Sequence, residues 1–171
     1  LVVVTPATPQ DNHGLLRAAL ASGDPVVYME HKELWAQQAD VDTSLSIELG
    51  QARVARPGDD LTIVTWSRGV QPSLDAAQAL AEAGVSAEVI DLRTLWPWDR
   101  EAVLASAART RRLLVVHEAV QVAGFGAEVA AAVAEGDAVA AMGTHGGFAT
   151  HVVAEAAFCL AVTEGLAGFG D

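Results

Sequence analysis

Positive charge and sulfur are the scarcest things in this chain. Lys32 is its one lysine, and 10 Lys and Arg face 22 Asp and Glu, leaving a formal net charge of −12. Phosphate binding draws on clustered Lys and Arg, so this balance argues against nucleic acid as the main partner. The single Cys159 excludes an internal disulfide and fits a reducing, cytoplasmic setting. No apolar run of about 18 residues is free of charge or polar breaks, and no signal peptide is evident, so no membrane role is expected. What is abundant is apolar side chain, 51% of 171 residues. That supplies one full domain and part of another.

The most organised stretch runs from Leu61 to Glu135. Leu61–Trp66, Ser86–Asp91 and Leu113–His117 are short, β-branched and almost continuously apolar, as strands covered on both faces require. Between the first two, Leu74, Ala77 and Ala81 recur at helical spacing until Gly84. Between the second and third, Asp99 is a good N-cap, and Arg109, Arg111 and Arg112 lie where a helix C-terminus favours cations. The expectation is an α/β fold, a parallel β-sheet with helices on both faces.

Upstream, Leu1–Val4 looks like a buried strand. Thr5-Pro-Ala-Thr-Pro9 turns, Asp11 caps a helix through Leu15, Leu16, Ala19 and Leu20, Gly23 ends it, and Pro25–Glu30 returns as a strand. This βαβ unit cannot bury both of its faces alone. The chain is therefore expected to start inside a domain, with the missing strands coming from absent residues or another chain. Residues 31–58 carry little periodicity and read as an interdomain crossing, with a short strand within Ile47–Val54.

Five segments occur in an order that resembles one family: Ala7–Leu16, Asp24–Lys32, Ala87–Asp99, Val116–Glu118 and Gly124–Glu128. The chain is similar to the β subunit of the decarboxylating component of 2-oxo acid dehydrogenase complexes, the pyruvate, branched-chain 2-oxo acid and acetoin group. The resemblance implies residues 1–36 as the end of a transketolase-like pyrimidine-binding domain and 37–58 as a linker. It further implies residues 59–140 as a transketolase-like C-terminal domain, followed by a divergent Ala- and Gly-rich tail, 141–171. Also implied is oxidative decarboxylation by thiamine diphosphate and magnesium, with acyl transfer to a lipoyl arm. The cofactor supplies that carbanion chemistry. Its activating Glu belongs to an earlier part of such a subunit, and its diphosphate and magnesium to an α subunit. No catalytic or thiamine-binding residue is therefore assigned here, and the chain alone is expected to be inactive. Implied partners are the α subunit and a second β subunit in a heterotetramer. A lipoyl acyltransferase core is a further implied partner, although the Asp that contacts it has no counterpart in the tail. Some family members hold potassium at positions falling on Ala19, Ser22 and Asp24; a hard cation wants several oxygens, and Ser22 is neutral where a carboxylate is usual.

Other features carry weaker readings. The carboxyl ends of the strands bear Ser67, Arg68, Asp91, Arg93, His117 and Glu118, either a site or a structural ion-pair network, the latter preferred. Gly124-Phe-Gly-Ala-Glu128 lacks a third glycine, which Val129 replaces; packing of a helix through Val129 and Val133 explains it better than a dinucleotide. His13, His31, His145, His151 and Cys159 show no metal spacing. Trp96 and Trp98 are read in a loop, packed internally or at a subunit interface, and Trp96–Asp99 leans towards the branched-chain group. In the tail, Gly147–Leu160 echoes the helix after Gly124, as a second copy of it. Another transketolase-like enzyme, such as transketolase or a deoxyxylulose phosphate synthase, and a non-catalytic association module are the alternatives. Val64, Val89, Ile90, Val115 and Val116 are the expected core.

Overall fold

The computed structural model describes residues 1–119, 124–134 and 149–153. Its larger sheet contains β3 (Arg53–Arg56), β4 (Leu61–Thr65), β5 (Ala87–Asp91), β7 (Leu113–His117) and β8 (Ala149–Val153). Their order is β3-β5-β4-β7-β8. The central three strands are parallel, Val64 lying between Ile90 and Val115, whereas the edges β3 and β8 run antiparallel. The sheet is thus parallel at its centre and antiparallel at both margins.

Alternation along the strands sorts the side chains onto two faces. Leu61, Ile63, Val89 and Leu114 pack with Ala77 of α2 (Val70–Glu82). On the opposite face, Val64, Ile90, Leu113 and Val115 pack with Val103 of α3 (Arg100–Thr110) and Val129 of α4 (Phe125–Ala134). Gly84 adopts positive φ just past α2, and the Asp99 carboxylate caps α3, accepting from Ala102 N–H at 3.0 Å. Of the expected core, Val64, Val89, Ile90 and Val115 are buried, but Val116 is only partly so. It lies at the rim of the α2-side cluster, towards the open end of the sheet.

The first thirty residues form β1 (Val2–Val4), α1 (Pro9–Ser22) and β2 (Val26–Tyr28). The cap of α1 is Thr8, whose hydroxyl accepts from Asp11 N–H; Asp11 lies in the first turn, because Pro9 is tolerated at the opening helical position. Gly23 closes the helix in the left-handed region, as expected. The larger correction concerns sheet membership. After β5 the chain turns through Arg93 at φ 60° and forms β6 (Thr94–Trp96), which pairs antiparallel with β1. The order of this smaller sheet is β2-β1-β6. A third strand therefore comes from within the chain, and Trp96 lies on a strand rather than in a loop.

The crossing segment holds a short 3-10 helix, Lys32–Ala36, and β3, which begins one residue before the expected strand ends. Ile47 instead buries itself on α1 against Gly14, whose missing side chain makes room for it. Ala149–Val153 is a strand, not the start of a second α4-like helix. His145, Cys159 and the remainder of the tail lie outside the described residues. Among the described residues, no helix is long and apolar enough to cross a membrane.

Candidate functional site

The strand-end residues do not form one cluster; the fold divides them between two places at the junction of the sheets. In the first, Asp91 ends β5 fully buried, and its β3 neighbour Arg53 reaches it, Nη2 to Oδ2 at 3.0 Å. Arg53 also lies 3.5 Å from Asp11 of α1, which is itself buried. Arg93 places Nε 2.8 Å from Asp11 Oδ1 in an ion pair without hydrogen-bond alignment, and its backbone N–H donates to Asp91 Oδ1 at 3.2 Å. Two aspartates and two arginines from both sheets thus interlock. Burial, then the charge of Asp11, pushes the Asp91 carboxyl up to about 6, against the opposing pull of Arg53. Asp11 and Arg53, which no strand-end position groups with Asp91 and Arg93, were the members that strand-end reasoning missed.

The second place is a cleft of about 290 Å3 between the two units. Trp66 stacks on buried His117 with ring centroids 5.0 Å apart, and Phe125 meets Trp66 edge-on at 5.6 Å. His117 Nδ1 accepts from Ala119 N–H at 3.1 Å, which orients the ring. Glu118 lies 3.4 Å from His31 Nε2 and 3.8 Å from Arg68 Nη1; Arg68 also pairs with Glu33. Glu30 accepts from Asn12 Nδ2 at 3.0 Å. The wall is aromatic and the rim acidic. That rim does not fit a thiamine diphosphate, whose phosphates need cations, so no catalytic step is derived through the cofactor from these residues. The hydroxyl of Tyr28 donates to the Asn12 carbonyl, and burial followed by Glu30 and Asp11 raises its pKa.

The remaining expectations fall elsewhere. Trp98 packs inward, edge-on to Phe125 at 6.2 Å, while Trp96 is 58% exposed. Val129 is buried against the sheet, in keeping with a packing role for the Gly124–Glu128 turn. Ala19, Ser22 and Asp24 do meet at one turn: the Ser22 hydroxyl donates to the Ala19 carbonyl at 2.9 Å and accepts from Asp24 N–H at 3.2 Å. Among the described residues, no group of three or more His, Cys, Asp and Glu side chains is placed to hold a metal.

Residues 50–162 match the transketolase C-terminal domain. The chain is 44% identical over 137 residues to the pyruvate dehydrogenase E1 component subunit beta of Staphylococcus epidermidis, covering 79% of this chain and 42% of the relative. The Bacillus subtilis protein of that name is 46% identical over 131 residues, covering 75% and 40%. The beta subunit of acetoin:2,6-dichlorophenolindophenol oxidoreductase from Cupriavidus necator is 42% identical over 136 residues, covering 79% and 40%. The chain thus spans about two-fifths of the length of these relatives. A split gene transketolase, described as an inactive beta4 tetramer, superposes with a TM-score of 0.69 at 27% identity, covering 79% of this chain and 44% of that one. With a buried parallel core shared with that structure and a domain match over most of its length, the chain belongs to the transketolase C-terminal domain family.

Proposed function

We propose that this chain is part of the β subunit of a 2-oxo acid dehydrogenase and serves its assembly. The observation that carries this reading is the 44% identity over 137 residues, 79% of the chain, to a pyruvate dehydrogenase β subunit. In this reading residues 1–36 close a pyrimidine-binding domain, 37–58 link it, 59–140 form the C-terminal domain and 141–171 are a divergent tail. Geometry supports association: β2 and β6 are the two edges of the smaller sheet, and Val27, Met29 and Trp35 in or just after the first and Trp96 on the second are large apolar side chains left exposed. The partners are an α subunit, a second β subunit and, more distantly, a lipoyl acyltransferase. The assembled cytoplasmic oxidoreductase uses thiamine diphosphate with magnesium, bound outside this chain.

The test is decarboxylation of pyruvate and 2-oxoisovalerate. The chain alone, and the chain with an α subunit, are expected to be inactive; adding the first half of a related β subunit together with α is expected to restore turnover. Turnover by the chain alone refutes the reading. Ketol transfer between sugar phosphates would favour the transketolase alternative that the structural likeness supports. Potassium at Ala19, Ser22 and Asp24 belongs to the same proposal: replacing potassium by tetramethylammonium should lower the melting temperature, and an unchanged value removes the ion.

A further inference from the structure

In the larger sheet, the neighbouring strands β4 and β7 lead to opposite sides. β4 continues through α2 to β5, whereas β7 continues through α4 to β8. The helices lie on opposite faces. In open α/β sheets the crevice at such a reversal, beyond the carboxyl ends of the strands, is where ligands bind. Here that crevice is the cleft of about 290 Å3, floored by Trp66 and Phe125 and closed from the other unit by Thr5, Glu30 and His31. The ion network of Asp11 and Asp91 lies apart from it, since neither carboxylate lines the cleft.

We propose that this cleft binds a small organic cation: an ammonium or guanidinium head on a short apolar or aryl body. Three features select that class. The volume lies at the lower end of the range for small-molecule sites, which limits the body to a single ring or short chain. Trp66 and Phe125 line the cleft and offer an apolar wall for the body of the ligand. Glu30 and Glu118 place two carboxylates in its lining. These outweigh the opposing charges nearby. The N-terminus of α4 carries only about half a positive charge, and Arg68, 3.8 Å from Glu118, is shared with a third carboxylate, Glu33. His31, the remaining titratable group of the lining, already faces Glu118 at 3.4 Å, and Asn12 holds the Glu30 carboxylate in place. An anionic ligand meets like charge, and a neutral one draws no Coulombic attraction from the carboxylates. The site is separate from the assembly role, and its test needs only the chain itself.

The test is calorimetric titration of the chain with benzylamine, benzyl alcohol and phenylacetate, which share a ring and differ in charge. Benzylamine should bind at least about tenfold more tightly than benzyl alcohol, and phenylacetate should not bind. Glu118→Gln and Glu30→Gln, both surface changes that keep the side-chain shape, should each weaken benzylamine severalfold, while the remote Glu82→Gln should not. Trp66→Leu should reduce binding of benzylamine too, and quenching of tryptophan fluorescence by the amine should disappear with it if the fold, read by circular dichroism, is kept. No saturable benzylamine binding up to about 10 mM, equal binding of benzyl alcohol, or unaltered affinity in both glutamine variants overturns the proposal.

Discussion

Replacing Asp91 by Asn should change how the stability of this protein depends on pH, and the direction can be worked out from the burial of the carboxylate. Asp91 is fully buried, and its pKa is pushed from an ordinary 3.8 to about 6. At 1.36 kcal/mol per unit, that corresponds to at most about 3 kcal/mol. The folded pKa lies above the unfolded one, so the protonated carboxyl contributes stability that is fully present below about pH 4 and is lost as pH rises through about 6. Above that range the ionised group is a cost of burial, offset by Arg53 at 3.0 Å. Asn stays neutral throughout. At pH 7 the variant should therefore be at least as stable as the natural chain, with Arg53 still held by Asp11 at 3.5 Å. As pH falls to 4, the natural chain should gain on the variant by up to about 3 kcal/mol. Urea unfolding of both proteins at several pH values between 4 and 7 measures this difference, and groups common to both largely cancel. A difference that does not vary with pH, or one in which the variant gains as pH falls, would refute the argument. The latter would mean that Arg53 and Arg93 outweigh desolvation.

Four further substitutions probe the packing. Val115→Asp places an unpaired charge at a position with no exposure between β4 and α4, and should cost several kcal/mol in a denaturant titration. Gly58→Ala should lower the melting temperature by several degrees, because the added carbon would overlap the backbone of Ala87 and Glu88, neither of which is free to swing away; an unchanged value would show that β5 can shift. Ser106→Ala removes a hydroxyl that donates to Glu88 and contacts Thr62 at 2.6 Å beneath α3, and should cost about 1–3 kcal/mol by chemical denaturation, with Thr110→Val as an independent probe of the same network.

The polar network under α3 shows where reading by pattern stops. Glu88 and Thr62 occupy inward positions of strands that otherwise read as apolar, and no sequence period reveals that Ser106 and Arg109 reach them from α3. Arg109 lies in the last turn of α3 as expected, but it also spans Glu88, Asp59 and the Gly58 carbonyl. Elements with many residues in agreement were legible: β4, β5 and β7 as apolar runs, α2 and α3 from spacing, and their ends from Gly84 and Asp99. Of the three-residue strands, β1 and β2 were legible from their runs of valine, but β6 was not. Thr94–Trp96 holds only three residues, too few to show a period, and becomes a strand because β1 offers it a partner.

Local chemistry was therefore enough to specify what depends on neighbours a few residues apart: the helices, the cap of α3, the central strands and the resemblance to a 2-oxo acid dehydrogenase β subunit. The joining of the two units was not local. It depends on β6 leaving one sheet for the other, and on Asp11 meeting Arg93 across 82 positions of chain, 93 less 11. The opposed exits of β4 and β7, which open the crevice beside Trp66, likewise arise from strand order. Such contacts are selected by the packing of whole faces and by the compensation of buried charge, neither of which a single segment carries.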